Sequence, residues 1–211
     1  MPTYFNMTLQ FEKNRLKPDF VKELYFKIIS CGFEFKSGYW VHENASLDEI
    51  IAWNQDLLEK GFNLGFTQHV KHDYMQILFK SEAYSELRGF WMYRDSSIDF
   101  NLIIPEYDIL NRMGGEAFTQ SKVTPVKELA KEIWESGIPD AIQTCVECDY
   151  GYYSINQIYS GVNISINPFA ILKKDVHKKF PKGFFCDKTA SLLGNNGILL
   201  ESDGTVPHYV L

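Results

Sequence analysis

Apolar and polar residues alternate from position 3 to 12. Phe5, Met7, Leu9 and Phe11 fall on one side and Asn6, Thr8, Gln10 and Glu12 on the other, the period of a half-buried strand. The next stretch, KPDFVKELYFKIISCG, places Val21, Leu24, Tyr25, Ile28 and Ile29 at helical spacing, with Pro18 near the start and Gly32 just past the end; this predicts an amphipathic helix. After an aromatic segment from Phe33 to Trp40, Ser46 and Glu49 form an S-x-x-E capping box. A second helical stripe follows it, Leu47, Ile50, Ile51, Leu57 and Leu58, and stops at Gly61.

From about residue 63 to 105 the pattern changes to strands, predicted at Tyr74 to Lys80, Tyr84 to Arg94 and Ser97 to Ile104, with Arg94-Asp95-Ser96 as a tight connection. Thr124-Pro125 opens a third predicted helix with the stripe Val126, Leu129, Ala130, Ile133 and Trp134, closed by Gly137 and Pro139. Strands are predicted again at Ala141 to Asp149, Gly161 to Asn167 and around Ile198 to Leu200, while Pro168 to Phe180 fits either period. Gly114-Gly115 marks a flexible joint, and no internal repeat or low-complexity linker stands out. The expectation is a single α+β domain over residues 1–211: one antiparallel, half-exposed sheet with about three helices on its apolar face.

Composition agrees with one sizeable core. The chain has 211 residues, 45% of them hydrophobic, and is rich in Phe and Tyr, the opposite of a disordered composition. A formal net charge of −6 argues against non-specific binding to nucleic acid or anionic membrane, which needs a positive field, and suits a basic partner. The start MPTYFNMTLQFEKN lacks a basic region followed by an apolar run, and no segment approaches the roughly 18 apolar residues of a membrane span; a soluble cytoplasmic protein is expected. Four dispersed cysteines, Cys31, Cys145, Cys148 and Cys186, read as reduced thiols rather than a disulfide framework.

Several clusters invite chemistry. Cys145 and Cys148 have the spacing of a metal or redox pair, but no second pair completes a zinc site, and on a strand an i, i+3 pair diverges to opposite faces. The run His69-Val70-Lys71-His72-Asp73 offers two imidazoles and a carboxylate for a divalent metal that could activate water; a polar hairpin turn is the competing reading. Five lysines between Lys173 and Lys182 read as a solvated face rather than a nucleic-acid contact. No nucleophile elbow, S-x-x-K or phosphate loop is present, and Gly194-Asn195-Asn196-Gly197 reads as a hairpin turn.

The sequence names no enzyme and implies no cofactor. The outer face of the sheet and its loops remain: Asp99, Asn101, Glu147, Asp149, Tyr150, Tyr152 and Tyr153 combine acidic groups with tyrosines, a mix that steers and anchors protein interfaces. An ordinary solvated face competes with that reading.

The C-terminal sequence FPKGFFCDKTASLLGNNGILLES, with the chain length and the order of helices and strands, resembles bacterial immunity proteins that neutralise polymorphic toxins, in particular the immunity protein 52 family. A Gly-turned apolar strand pair ends that domain, here Thr189 to Leu193 and Ile198 to Leu200 around Asn196-Gly197. The resemblance implies a cytoplasmic, non-enzymatic toxin inhibitor that covers the active site or a required surface of its cognate toxin, and it transfers no binding residue. The acidic balance suits a basic toxin such as a nuclease. The competing class is a metal-dependent hydrolase centred on His69, His72 and Asp73, and a scaffold without a toxin partner is a third.

Overall fold

The alternation of residues 3 to 12 becomes the middle of a large antiparallel sheet. The computed structural model describes residues 3–63, 73–111, 117–146 and 153–205. The first half of the chain runs β1 (Tyr4–Phe11), α1 (Phe20–Ser30), β2 (Glu34–Gly38), α2 (Leu47–Glu59), β3 (Ile77–Lys80), β4 (Leu87–Tyr93) and β5 (Ile98–Pro105). It continues through α3 (Glu106–Ile109), the short ladder β6 (Leu110–Asn111) with β7 (Ala117–Phe118), α4 (Gln120–Glu135) and β8 (Ala141–Val146). The chain then forms α5 (Ile155–Tyr159), β9 (Phe169–Lys173), α6 (Lys174–His177), β10 (Thr189–Leu193) and β11 (Gly197–Glu201).

Nine strands make one sheet in the order β10-β11-β9-β8-β1-β5-β4-β3-β2. Strand β1 is central, with Met7 opposite both Leu102 of β5 and Thr144 of β8. Phe5, Met7, Leu9 and Phe11 therefore share a face with Ile98, Phe100, Leu102 and Ile104, and bury against the apolar stripes of α1, α2 and α4. The capping box of α2 forms as expected, with the Ser46 hydroxyl accepting from the Glu49 N–H and the Glu49 carboxylate accepting from the Ser46 N–H.

Over β1, β5, β8, β9 and β11 the opposite face is covered rather than half-exposed, which corrects the expectation there, while β2, β3 and β4 keep the alternation of a half-exposed sheet. Every residue of β5 and β8 is buried. A second apolar cluster built from Ala141, Ile158, Ile164, Ala170, Leu172, Val176 and Leu200 covers the β8, β9 and β11 side, so short α5 and α6 elements pack where solvent was expected. The α+β class stands, but the sheet is larger and the helices more numerous than predicted.

Three segments differ from their predicted state for identifiable reasons. Gly161 to Asn167 forms no ladder and makes one isolated parallel bridge, Thr144 to Ile166; its alternation arises because Ile164 and Ile166 descend into the second cluster while Val162 stays exposed. Pro168 to Phe180 is both things in turn, β9 and then α6. The segment after Tyr153 opens α5 on a capping box of Ser154 and Gln157, an S-x-x-Q signal present in the sequence.

Helix α4 begins at Gln120 and carries Pro125 in its interior, where proline removes one helical hydrogen bond and crowds the preceding turn. The hydroxyl of Tyr84 fills the break: it donates to the Lys122 carbonyl at 2.6 Å and accepts from the Val126 N–H at 3.1 Å, bridging the two groups that would otherwise bond each other. Tyr84→Phe is expected to destabilise the protein by about 1 kcal/mol, because the buried Val126 N–H and the part-buried Lys122 carbonyl lose their shared partner. A urea midpoint unchanged from the native protein would reject that role.

Candidate partner-binding surface

The sequence-predicted interface residues divide three ways. Asp99 is fully buried, accepting from Arg94 Nε at 2.5 Å and Ser97 Oγ at 2.8 Å. Asn101 is buried too, its Oδ1 accepting from Thr8 Oγ1 at 2.9 Å and Asn6 Nδ2 at 3.1 Å. Neither side chain stands on an open sheet face, because the outward polar row bonds to itself and to the chain above it. Tyr153 belongs to that cover: its carbonyl accepts from Gln143 Nε2 at 2.6 Å and Gln10 Nε2 at 3.2 Å. Glu147, Asp149, Tyr150 and Tyr152 lie outside the described residues.

The metal and redox candidates divide similarly. Cys145 is buried beside this polar row, and Cys148 lies outside the described residues, as do His69 and His72. Asp73 is described, and its backbone carbonyl accepts from Trp53 Nε1 at 2.9 Å. Among the described residues no group of three or more His, Cys, Asp or Glu side chains is arranged to hold a metal ion. The lysine run is divided between strand and helix, with Lys173 paired to Asp140 at 2.8 Å.

A distinct surface feature is the corner between β2 and α2. Trp40 is 70% exposed and adopts φ 54°, and Val41 beside it is 54% exposed. A non-glycine aromatic in the left-handed region is uncommon and has to be held by its surroundings. Several contacts hold it. Gly38 packs against the His42 carbonyl so closely that a Cβ would stand 2.1 Å from the oxygen, so position 38 admits only glycine. The Tyr39 N–H donates to the Gln76 carbonyl at 3.0 Å, and the Arg88 guanidinium sits 4.2 Å from the centre of the Tyr39 ring. The His42 and Glu43 amides then close a tight turn on Tyr39 and Trp40.

Beside this corner runs a groove of about 500 Å³ lined by Val41, His42, Asn44, Ala45, Glu49, Ala52, Trp53 and Met75. Its Met75 side is fixed by Asn54, whose amide donates to the Met75 carbonyl at 2.8 Å while its Oδ1 accepts from the Met75 N–H at 2.8 Å. The rim is acidic. Glu49 lines the groove and the exposed Glu43 and Asp48 flank its lining residues in the chain. Hydrogen bonds from the Ser46 N–H and hydroxyl hold the Glu49 carboxyl below its usual range, so its charge persists well into mildly acidic solution. An exposed tryptophan on a held backbone, a neighbouring groove and exposed carboxylates together suit a protein partner with a basic, partly apolar surface.

The sequence carried a trace of this site in GYWVHEN, where two aromatics follow a glycine just ahead of a helix cap. Its exposure was not readable, because an aromatic pair at a strand end packs inward as readily as outward.

No protein-family model matches the chain, and no curated protein matches it. Among solved structures it is similar to Pseudomonas aeruginosa T6SS protein PA0821, at a TM-score of 0.43 and 7% identity, over 98% of this chain and 70% of that one. These comparisons do not show the resemblance to the immunity protein 52 family. Among the described residues no helix is long and apolar enough to cross a membrane.

Proposed function

We propose that this is a non-enzymatic binding protein, an immunity protein of a bacterial polymorphic toxin system that holds a cognate toxin inactive in the cytoplasm. The observation that carries the binding role is Trp40, exposed with its backbone in the left-handed region, next in the chain to Val41 and His42, which line a groove together with Glu49. An exposed aromatic side chain offers a large contact area for few rotatable bonds, which is how a few aromatic residues come to dominate an interface. The toxin as partner rests on the C-terminal resemblance, and its basic character on the net charge of −6.

The test is co-expression with the product of the adjacent upstream gene. A stable complex that rescues cells from that product is expected, and Trp40→Ala should weaken the purified complex by about thirtyfold, the effect of losing roughly 2 kcal/mol at an interface centre. No complex and no rescue, with the neighbour confirmed expressed, would reject the immunity role. Unchanged affinity in the Trp40 variant would leave the role and reject the corner.

The acidic and aromatic segment Glu147, Asp149, Tyr150, Tyr152 and Tyr153 is proposed as a second contact. Changing Glu147, Asp149 and Tyr150 together should slow association and flatten its salt dependence, as loss of steering charge does. Association rates identical to the native protein at low and high salt would remove this segment from the interface.

A further inference from the structure

The two ends of the nine-stranded sheet are treated differently. At one end, β2 carries the exposed charges Glu34 and Lys36 and a register shift between Phe35 and Ser37, two devices that keep an edge strand from pairing with another chain. At the other end, β10 reads Thr189-Ala190-Ser191-Leu192-Leu193, with no charge, no proline and an unbroken register against β11. Among the described residues it pairs with β11 alone. Leu192 is 73% exposed. A flat, uncharged strand with an exposed leucine at a sheet edge is a ready template for strand addition.

From this edge we infer that the protein forms a two-fold dimer by antiparallel pairing of β10 with β10 of a second copy, centred on Ser191. The strand is complementary to itself in that register. Thr189 faces Leu193 of the other copy and Ala190 faces Leu192, so each exposed leucine covers the other chain's small alanine and no like charges oppose across the axis. Charges meet only at the ends. There, Lys188 of one copy, ion-paired to its own Asp187 at 2.7 Å, falls opposite Gly194 of the other, whose N–H is held at 2.9 Å by the Glu135 carboxylate, so one lysine and two carboxylates meet at each end.

The turn that sets this edge is anchored to α4, so β10 is presented rigidly. Trp134 Nε1 donates to the Gly194 carbonyl at 3.1 Å, and Asn195 Nδ2 donates to the Glu135 carbonyl at 2.6 Å. Strand β2 lies eight strand spacings from β10, about 40 Å. The dimer thus leaves both Trp40 corners at its outer ends, free for a partner.

The experiment compares the native chain, Leu192→Lys, and Ser191→Cys in a Cys186→Ser background, since Cys186 is an exposed free thiol. Light scattering across micromolar to hundreds-of-micromolar concentrations should give a doubled mass for the native chain. Leu192→Lys should raise the dimer dissociation constant by about tenfold or more and leave the melting temperature of the dilute, monomeric protein unchanged, because the side chain is exposed in the single chain. Under mild oxidation the Ser191→Cys protein should yield a disulfide joining the two copies at position 191, as antiparallel partners on the axis stand about 4.5–5.5 Å apart at Cα. A native chain monomeric over the whole range with no link at 191 would overturn the inference. A dimer indifferent to Leu192→Lys and unlinked at 191 would overturn it in favour of another interface. Protection of the β10 amides from hydrogen exchange only when toxin is added would overturn it by giving the edge to a toxin strand.

Discussion

Replacing Asp140 by alanine is expected to cost about 3 kcal/mol of stability, among the largest effects of any single substitution outside the apolar core. The carboxylate is fully buried at the start of β8 and takes four donors: Arg15 Nη2 at 2.7 Å, Arg15 Nε at 3.2 Å, Lys173 Nζ at 2.8 Å and the Glu12 N–H at 2.9 Å. It ties together the turn after β1, the start of β8 and the end of β9. Arg15 and Lys173 are 39% and 30% exposed at the side chain, so both regain some water when the acid is removed, and the cost sits at the low end for a broken buried pair.

Burial alone would raise the Asp140 carboxyl, but the hydrogen bonds from Arg15, Lys173 and the Glu12 amide more than offset it and hold the group below its ordinary value. Its contribution is therefore complete above the unfolded-state pKa of about 4 and is lost as pH falls through the lower folded value. Urea unfolding at neutral pH and again near pH 3 should show a native protein that weakens on acidification and an Asp140→Ala protein that weakens less. Parallel losses in the two would exclude Asp140 as the source.

How much of this was readable in advance depends on what each signal reports. Hydrophobic period reports which residues are buried together, and it placed β1, α1, α2 and the β3 to β5 meander well because each has one apolar side. Polar residues at the alternate positions report only that they are polar. Thr8, Gln10, Asp99, Asn101 and Gln143 alternate as a solvated face would, yet they are buried because they bond one another, Arg94, Ser97 and the Tyr153 main chain. A hydrogen-bonded buried face and a wet one share a sequence pattern.

The start of α4 was misplaced for a related reason. Proline is favoured at a first helical position, so Thr124-Pro125 looked like an opening, and only a hydroxyl from Tyr84, 41 residues before the proline, lets the helix run through it. The Trp40 corner needs three distant contributions, from Gln76, Arg88 and the α2 surface, and no local spacing encodes those. The turn of the β10–β11 hairpin, by contrast, was legible, since Gly194-Asn195-Asn196-Gly197 offers the residues that accept the positive φ taken by Asn195 and Asn196.

Tyr25→Phe is expected to cost about as much as losing Asp140, roughly 3 kcal/mol, by a mechanism that pH separates. Tyr25 is fully buried under α1, where its hydroxyl accepts from Trp91 Nε1 at 2.9 Å and Asn54 Nδ2 at 3.0 Å. It thereby links α1 to β4 and to α2. Removing one oxygen leaves the indole without its acceptor and takes one of two from the Asn54 amide, while the ring and its packing against Phe79, Trp91 and Phe100 remain.

The loss is thus an unpaired-donor penalty with almost no cavity term. Burial pushes the Tyr25 phenol well above its usual value, against the Trp91 and Asn54 hydrogen bonds that favour the anion. It stays neutral from acid to neutral solution, so the Tyr25→Phe deficit should be the same near pH 3 as at pH 7, where the Asp140→Ala deficit shrinks with acidification. Melting curves of both variants at the two pH values test this directly. A Tyr25→Phe protein as stable as the native one would mean that the two donors find other partners and that the α1–α2–β4 junction is held by packing alone.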